Sequence, residues 1–168
     1  MRQAPGAAGT GAGGGAEAGR EVADLESLTR ALVGITLQSL EVLGGEASLP
    51  QFRLLLTASA LGRVPSSRLA EAAGVPASSV TRLADKLETA GLLVRGSDTR
   101  SRSIVTVEIT DAGRELVARV VARRHELLAA VLARMAPDER AAVARSAARF
   151  AGLAAEAAER GASGPLPL

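Results

Sequence analysis

The stretch from Ser66 to Ser103, SSRLAEAAGVPASSVTRLADKLETAGLLVRGSDTRSRS, constrains the fold more than any other part of this chain. Ser66 and Ser67 stand where a helix would begin. Leu69, Ala70 and Ala73 mark its inward side, and Gly74 supplies the left-handed residue that lets the chain leave it. Pro76 then opens a second helix running to about Ala90, because a missing N–H costs nothing in a first turn. In that second helix Val80, Leu83, Ala84 and Leu87 recur at i, i+3, i+4 and i+7, leaving Ser78, Ser79, Thr81, Arg82 and Lys86 on the other side. One face packs and the other is free to touch something.

After Gly91, the run Leu92 to Arg95 reads as a strand. Gly96 to Ser103 contains no apolar residue, and Ile104 to Ile109 alternates β-branched and polar residues as a second strand would. The two strands pair as a hairpin whose tip carries Asp98, Arg100 and Arg102. Two short helices joined by a Gly turn and followed by a basic hairpin form the layout of a winged helix-turn-helix, and its natural partner is duplex DNA.

Charge agrees in its distribution more than in its sum. The chain of 168 residues carries a formal net charge of only +2. Residues 63 to 102 hold Arg63, Arg68, Arg82, Lys86, Arg95, Arg100 and Arg102 against Glu71, Asp85, Glu88 and Asp98, seven cations to four acids. The segments on either side hold four against six and nine against eight. The excess sits on the predicted motif.

The flanks read as helices. Residues 1 to 19 are mainly Gly and Ala, which bury too little to offset the entropy of ordering, and are expected to form a disordered tail. From Glu21 to Leu43, Leu25, Leu28, Leu32, Ile35 and Val42 fall near helical spacing, and Gly44-Gly45 ends the run. A helix over Pro50 to Leu61 carries Phe52, Leu54, Leu55 and Leu56. Beyond the hairpin, Thr110 or Asp111 caps a long helix expected to reach Met135, about 39 Å at 1.5 Å per residue. Val117, Val120, Val121, Leu127, Leu128, Val131 and Leu132 stripe it. Pro137 starts a last helix ending near Arg160, and residues 161–168 are expected to be a flexible C-terminus.

Several functions are disfavoured on composition. The chain has no Cys and one His, His125, so thiolate metal sites, disulfides and triad chemistry have no residues to use, and no cofactor or metal is expected. The N-terminal glycines lack the strand and the Lys of a phosphate loop. No apolar run approaches the roughly 18 residues of a membrane span, and no Leu-rich signal core follows Arg2, so the expected location is the cytoplasm. His125 reads as a surface or interface side chain, and Phe52, Phe150 and Met135 as core or dimer packing.

The order of four helices, hairpin, long helix and final helix resembles the MarR family of winged-helix regulators over about residues 21 to 160. The pieces that carry the resemblance are SSVTRLADKLETAGLLVR, DTRSR and ITDAGRELV. It implies a mainly α fold with a small β-hairpin wing, organised as one domain over 20–160. Residues 20–48 and 110–160 would be dimerisation helices and 49–109 the winged helix-turn-helix region. It further implies a homodimer on a pseudopalindromic double-stranded operator, and repression relieved by a small-molecule effector.

Carried over residue by residue, the resemblance places Ala77, Ser78, Ser79, Thr81 and Arg82 on the groove-facing side of the recognition helix and Lys86 on a phosphate. Arg82 is the candidate for direct base readout, since a guanidinium can take two acceptors of a guanine edge at once. Arg100 matches the wing-tip arginine of the minor groove and Asp98 the acid that holds it, with Arg95 and Arg102 as phosphate partners. Ser66 and Ser67 are caps or phosphate contacts, and Arg68 joins the candidate contacts beside them. The wing departs from many members in reading Gly96-Ser97 before the acid, with less charge. A winged-helix module that binds protein instead of specific DNA is the alternative reading.

Overall fold

The computed structural model describes residues 12–97 and 104–160 and divides the chain into two compact units, residues 1–38 and 39–168. The described residues of the first form helix α1, Ala12–Ser39, whose last residue falls in the second unit. It begins well before Glu21, so part of the Gly/Ala stretch expected to be disordered is helical. Once the Leu-bearing segment is nucleated, each added residue gains a hydrogen bond, and alanines extend such a helix at little cost. Val22, Leu25, Leu28, Leu32, Val33 and Leu37 along α1 are all exposed.

In the second unit a 3-10 turn, Leu40–Leu43, takes the place of the expected last α-helical turn, and Gly44 closes it in the left-handed region at φ 52°. Helix α2, Leu49–Leu61, starts at Ser48, whose backbone N–H donates to the Gln51 side chain at 2.8 Å. The strand β1, Val64–Pro65, was not foreseen, being two residues long and half proline. It leads into α3, Ser66–Ala73, and α4, Ala77–Thr89. Strands β2, Leu93–Ser97, and β3, Val105–Ile109, follow, then α5, Asp111–Leu132, and α6, Pro137–Arg160.

The wing is therefore a three-stranded antiparallel sheet ordered β1-β3-β2. Its register runs from Leu93 opposite Ile109 to Ser97 opposite Val105, with Val64 opposite Val107 on the other edge. Proline is tolerated in β1 because that strand lies at the sheet's edge.

The core gathers Phe52, Leu54, Leu55 and Ala58 of α2, Leu69 and Ala70 of α3, and Val80, Ala84 and Leu87 of α4. Leu93, Val107 and Ile109 of the sheet and Leu116, Val117 and Val120 of α5 join it, together with Leu43, Ala47 and Leu92. Burial of each large side chain contributes roughly 1.5–3 kcal/mol, so this cluster holds the helix-turn-helix and the wing as one piece. Helix α5 leaves the core halfway along: Val120 is fully buried and Val131 is exposed. It ends three residues short of Met135, where Arg134 and Met135 donate to the Val131 and Leu132 carbonyls in tightened i→i+3 bonds ahead of Pro137.

Gly113 lies where α5 begins, and a Cβ there would collide with the Leu92 carbonyl oxygen and sit 2.7 Å from Ile109 Cγ1. Thr110 locks the same junction. Its hydroxyl accepts from the Gly113 N–H at 3.1 Å and donates to the Gly91 carbonyl at 2.7 Å, tying the start of α5 to the end of α4.

Candidate nucleic-acid interface

The turn between α3 and α4 sets the interface. Gly74 adopts φ 64°, ψ 32°, and the Val75 N–H returns to the Ala70 carbonyl at 3.1 Å, so the chain reverses within three residues and delivers Pro76 to the head of α4. Val75 packs against the core. With Val80, Ala84 and Leu87 turned inward, α4 presents Ala77, Ser78, Thr81, Arg82, Asp85 and Lys86 to solvent. Ser79 is half-buried, so it borders the exposed face that the sequence pattern assigned it to. The Thr81 hydroxyl spends its proton on the Ala77 carbonyl at 3.1 Å, which leaves its oxygen free to accept.

The cations differ in what they already hold. Arg82 and Lys86 are exposed and form no ion pair among the described residues. Arg68, also exposed, pairs with Glu71 one turn on. Arg95, a candidate phosphate partner, is turned onto α4. It meets Asp85 at 2.5 Å and Glu88 at 3.7 Å, and donates to the Thr81 carbonyl at 2.9 Å. Its side chain is only 26% exposed.

Of the two roles expected of Ser66, the cap is not formed. The residue preceding α3 is Pro65, with no side-chain cap, and the Ser66 hydroxyl donates across to the Val105 carbonyl at 3.2 Å. It fastens α3 to the wing. Ser67 stays exposed. The wing-tip candidates Asp98, Arg100 and Arg102 lie outside the described residues.

Two wing-holding residues were missed by the sequence reading. Arg63 crosses the sheet, donating to the Thr106 hydroxyl at 3.3 Å and to the Ser97 carbonyl at 3.0 Å, at the last described residue before the tip. Gly96 makes room for it, because a Cβ there would meet the Arg63 guanidinium at 3.0 Å. Arg63 lies 34 residues from Ser97, and no local motif announces such a pairing. No group of His, Asp or Glu among the described residues is placed to hold a metal.

Comparison with known proteins bears on this arrangement directly. The model of the MarR family matches residues 47–105, from the lead into α2 through both helices of the motif to the first residue of β3. Over these residues the chain is similar to the MarR family. Its members are transcription regulators and not enzymes. This chain is 29% identical to the transcriptional repressor MdtR of Bacillus subtilis over 127 residues, covering 76% of this chain and 81% of MdtR. It is likewise 29% identical over 98 residues to the HTH-type transcriptional regulator YfiV, covering 58% of this chain and 61% of that relative. The chain thus spans about three fifths of YfiV's length. Among solved structures, RV1404 of Mycobacterium tuberculosis superposes with a TM-score of 0.74 at 28% identity, covering 88% of this chain and 97% of that one. A mutant of MepR from S. aureus, solved bound to an oligodeoxyribonucleotide, shares the fold at a TM-score of 0.64 and 16% identity, covering 79% of this chain and 96% of that one.

Proposed function

We propose that this chain is a MarR-type, sequence-specific regulator of transcription that binds duplex DNA as a homodimer, with α4 in the major groove and the wing beside it. The observation that carries the reading is the exposed face of α4, where Arg82 and Lys86 stand without ion-pair partners among the described residues while a packed core holds the helix rigid behind them. In this reading Arg82 reads a base edge, and Ala77, Ser78, Thr81 and Lys86 contact the groove wall and phosphates. Ser79, Ser67 and Arg68 border the same surface, and Asp98, Arg100 and Arg102 act at the wing tip.

The dimer is supported by apolar side chains that one chain leaves uncovered. Leu28 and Leu37 on α1 are 50% and 56% exposed, as are Phe150 and Leu153 on α6 at 56% and 52%. Rows of this kind are the usual sign of a partner surface. Residues 20–48 and 110–160 are the segments assigned to it. Similarity to the repressor MdtR favours repression, with release by a small-molecule effector as part of the same reading. Among the described residues no helix is long and apolar enough to cross a membrane. A regulator that binds DNA would act in the cytoplasm, where we place this one.

Selection of duplexes from a random pool, followed by footprinting, tests the reading. Enrichment of an inverted repeat with half-sites about one helical turn apart is expected. A pool that yields no enriched sequence overturns it in favour of a protein-binding winged-helix module.

A further inference from the structure

Taken alone, α4 is a poor helix for a polyanion. Its charged residues are Arg82 and Lys86 against Asp85 and Glu88, which sum to zero. Asp85 follows Thr81 and Arg82 by one turn on the exposed face and is itself 57% exposed, so an ionised carboxylate stands among the groups proposed to meet DNA. A bare acid there would face phosphates across a short gap, and like charges so placed oppose binding strongly.

The neighbouring strand answers this. Arg95 of β2 reaches α4 along one stripe, Thr81, Asp85 and Glu88, spaced i, i+4 and i+7. Its guanidinium pairs with both carboxylates, and its backbone N–H donates to Glu88 Oε1 at 3.2 Å. An arginine suits the place because its planar fork offers several donors in fixed directions, where a lysine offers a single point charge.

We infer that Arg95 is a positioning residue for DNA recognition, acting through Asp85 and Glu88: it bridges both carboxylates and offsets one of their two negative charges, so that Arg82 and Lys86 set the potential a duplex meets. The inference rests on the DNA-binding reading above. It differs from a phosphate contact, because Arg95 is already engaged on α4 and needs no DNA atom to act. It differs also from a plain tether, because the quantity that matters is the charge of the two acids.

The test measures dissociation constants by fluorescence anisotropy for a duplex that the wild-type chain selects from a random pool. Four proteins are compared: wild type, Arg95→Ala, the double variant Asp85→Asn/Glu88→Gln, and the triple combination. Arg95→Ala is expected to bind on the order of tenfold more weakly. The double variant is expected to bind at least as tightly as wild type, and adding Arg95→Ala to it to cost less than about threefold.

Equal losses from Arg95→Ala in both backgrounds would assign Arg95 to a phosphate and overturn the inference. A double variant as weak as Arg95→Ala would make the ion pairs a tether and overturn it as well. Should the alanine variant fail to fold, Arg95→Lys carries the comparison, since it keeps the charge and one ion pair. Its expected loss is roughly two- to fivefold and vanishes in the neutral background, while a loss that persists there counts against screening. If wild type selects no duplex, the DNA-binding reading itself falls, a result distinct from all of these.

Discussion

Replacing Gly113 with alanine tests how tightly the wing and the long helix are joined. The added Cβ would overlap the Leu92 carbonyl oxygen and approach Ile109 Cγ1 to 2.7 Å. Neither neighbour yields easily. The Leu92 carbonyl also accepts the Thr110 N–H at 3.2 Å, and Ile109 is 3% exposed and paired with Leu93 in the sheet. Relief requires α5 to back away from the strand end by the better part of an ångström, which loosens Leu116 and Val120 behind it. Overpacking costs about 1–3 kcal/mol, and backbone against Cβ belongs at the upper end because no side chain can rotate aside. Alanine's higher helix propensity returns about 1 kcal/mol. The net expectation is a loss of about 2 kcal/mol.

Urea unfolding followed by far-ultraviolet circular dichroism, at one fixed protomer concentration, measures it. Gly19→Ala is the control, since open space surrounds the corresponding Cβ position in α1. It should be neutral or stabilising by up to about 1 kcal/mol. A Gly113→Ala variant as stable as wild type would refute the argument from close approach.

Other expectations concern the interface and the assembly. Arg82→Ala should weaken binding to the selected duplex by about 1–3 kcal/mol and relax sequence preference, and equal affinity in a gel-shift titration would remove Arg82 from base readout. Lys86→Ala should weaken all sequences alike and lower the slope of log K against log salt by about 0.9; an unchanged slope would mean that Lys86 meets no phosphate. Thr110→Ala removes both the α5 cap and the bond to Gly91, and about 1–2 kcal/mol of stability should go with it in the same urea assay. A change under a few tenths would show that water replaces both bonds. Sedimentation equilibrium should return twice the chain mass of 17.0 kDa, while a stable monomer would exclude two linked half-sites.

What could be read from the chain in advance was whatever is local. Helix α4 was legible because Val80, Leu83, Ala84 and Leu87 repeat at its own period. The reversal before it was legible because a left-handed residue was needed and Gly74 supplied it. The hairpin showed in the alternation of Val105, Thr106, Val107 and Glu108, and the dominance of Leu at the inward positions of α2 foretold its burial. The limits of local reading appear at helix ends: α1 begins inside the glycine-rich stretch, and α5 stops three residues short of Met135.

Partnership between charged side chains was beyond the sequence. Arg82, Arg95 and Arg63 look alike as letters in a basic segment, yet the tertiary structure leaves the first exposed, folds the second onto Asp85 and Glu88, and stretches the third across the wing to Ser97. The same holds for Ser66, whose hydroxyl caps nothing and reaches Val105 39 residues away. The physical reason is range. Helical period, turn chemistry and capping depend on atoms within a few residues, whereas the partner of a long flexible cation depends on which distant surface packing brings within hydrogen-bond reach. The sequence by itself determined that a helix with a polar face and a basic wing would form; packing decided which of its cations remain unpaired on the surface proposed to meet DNA.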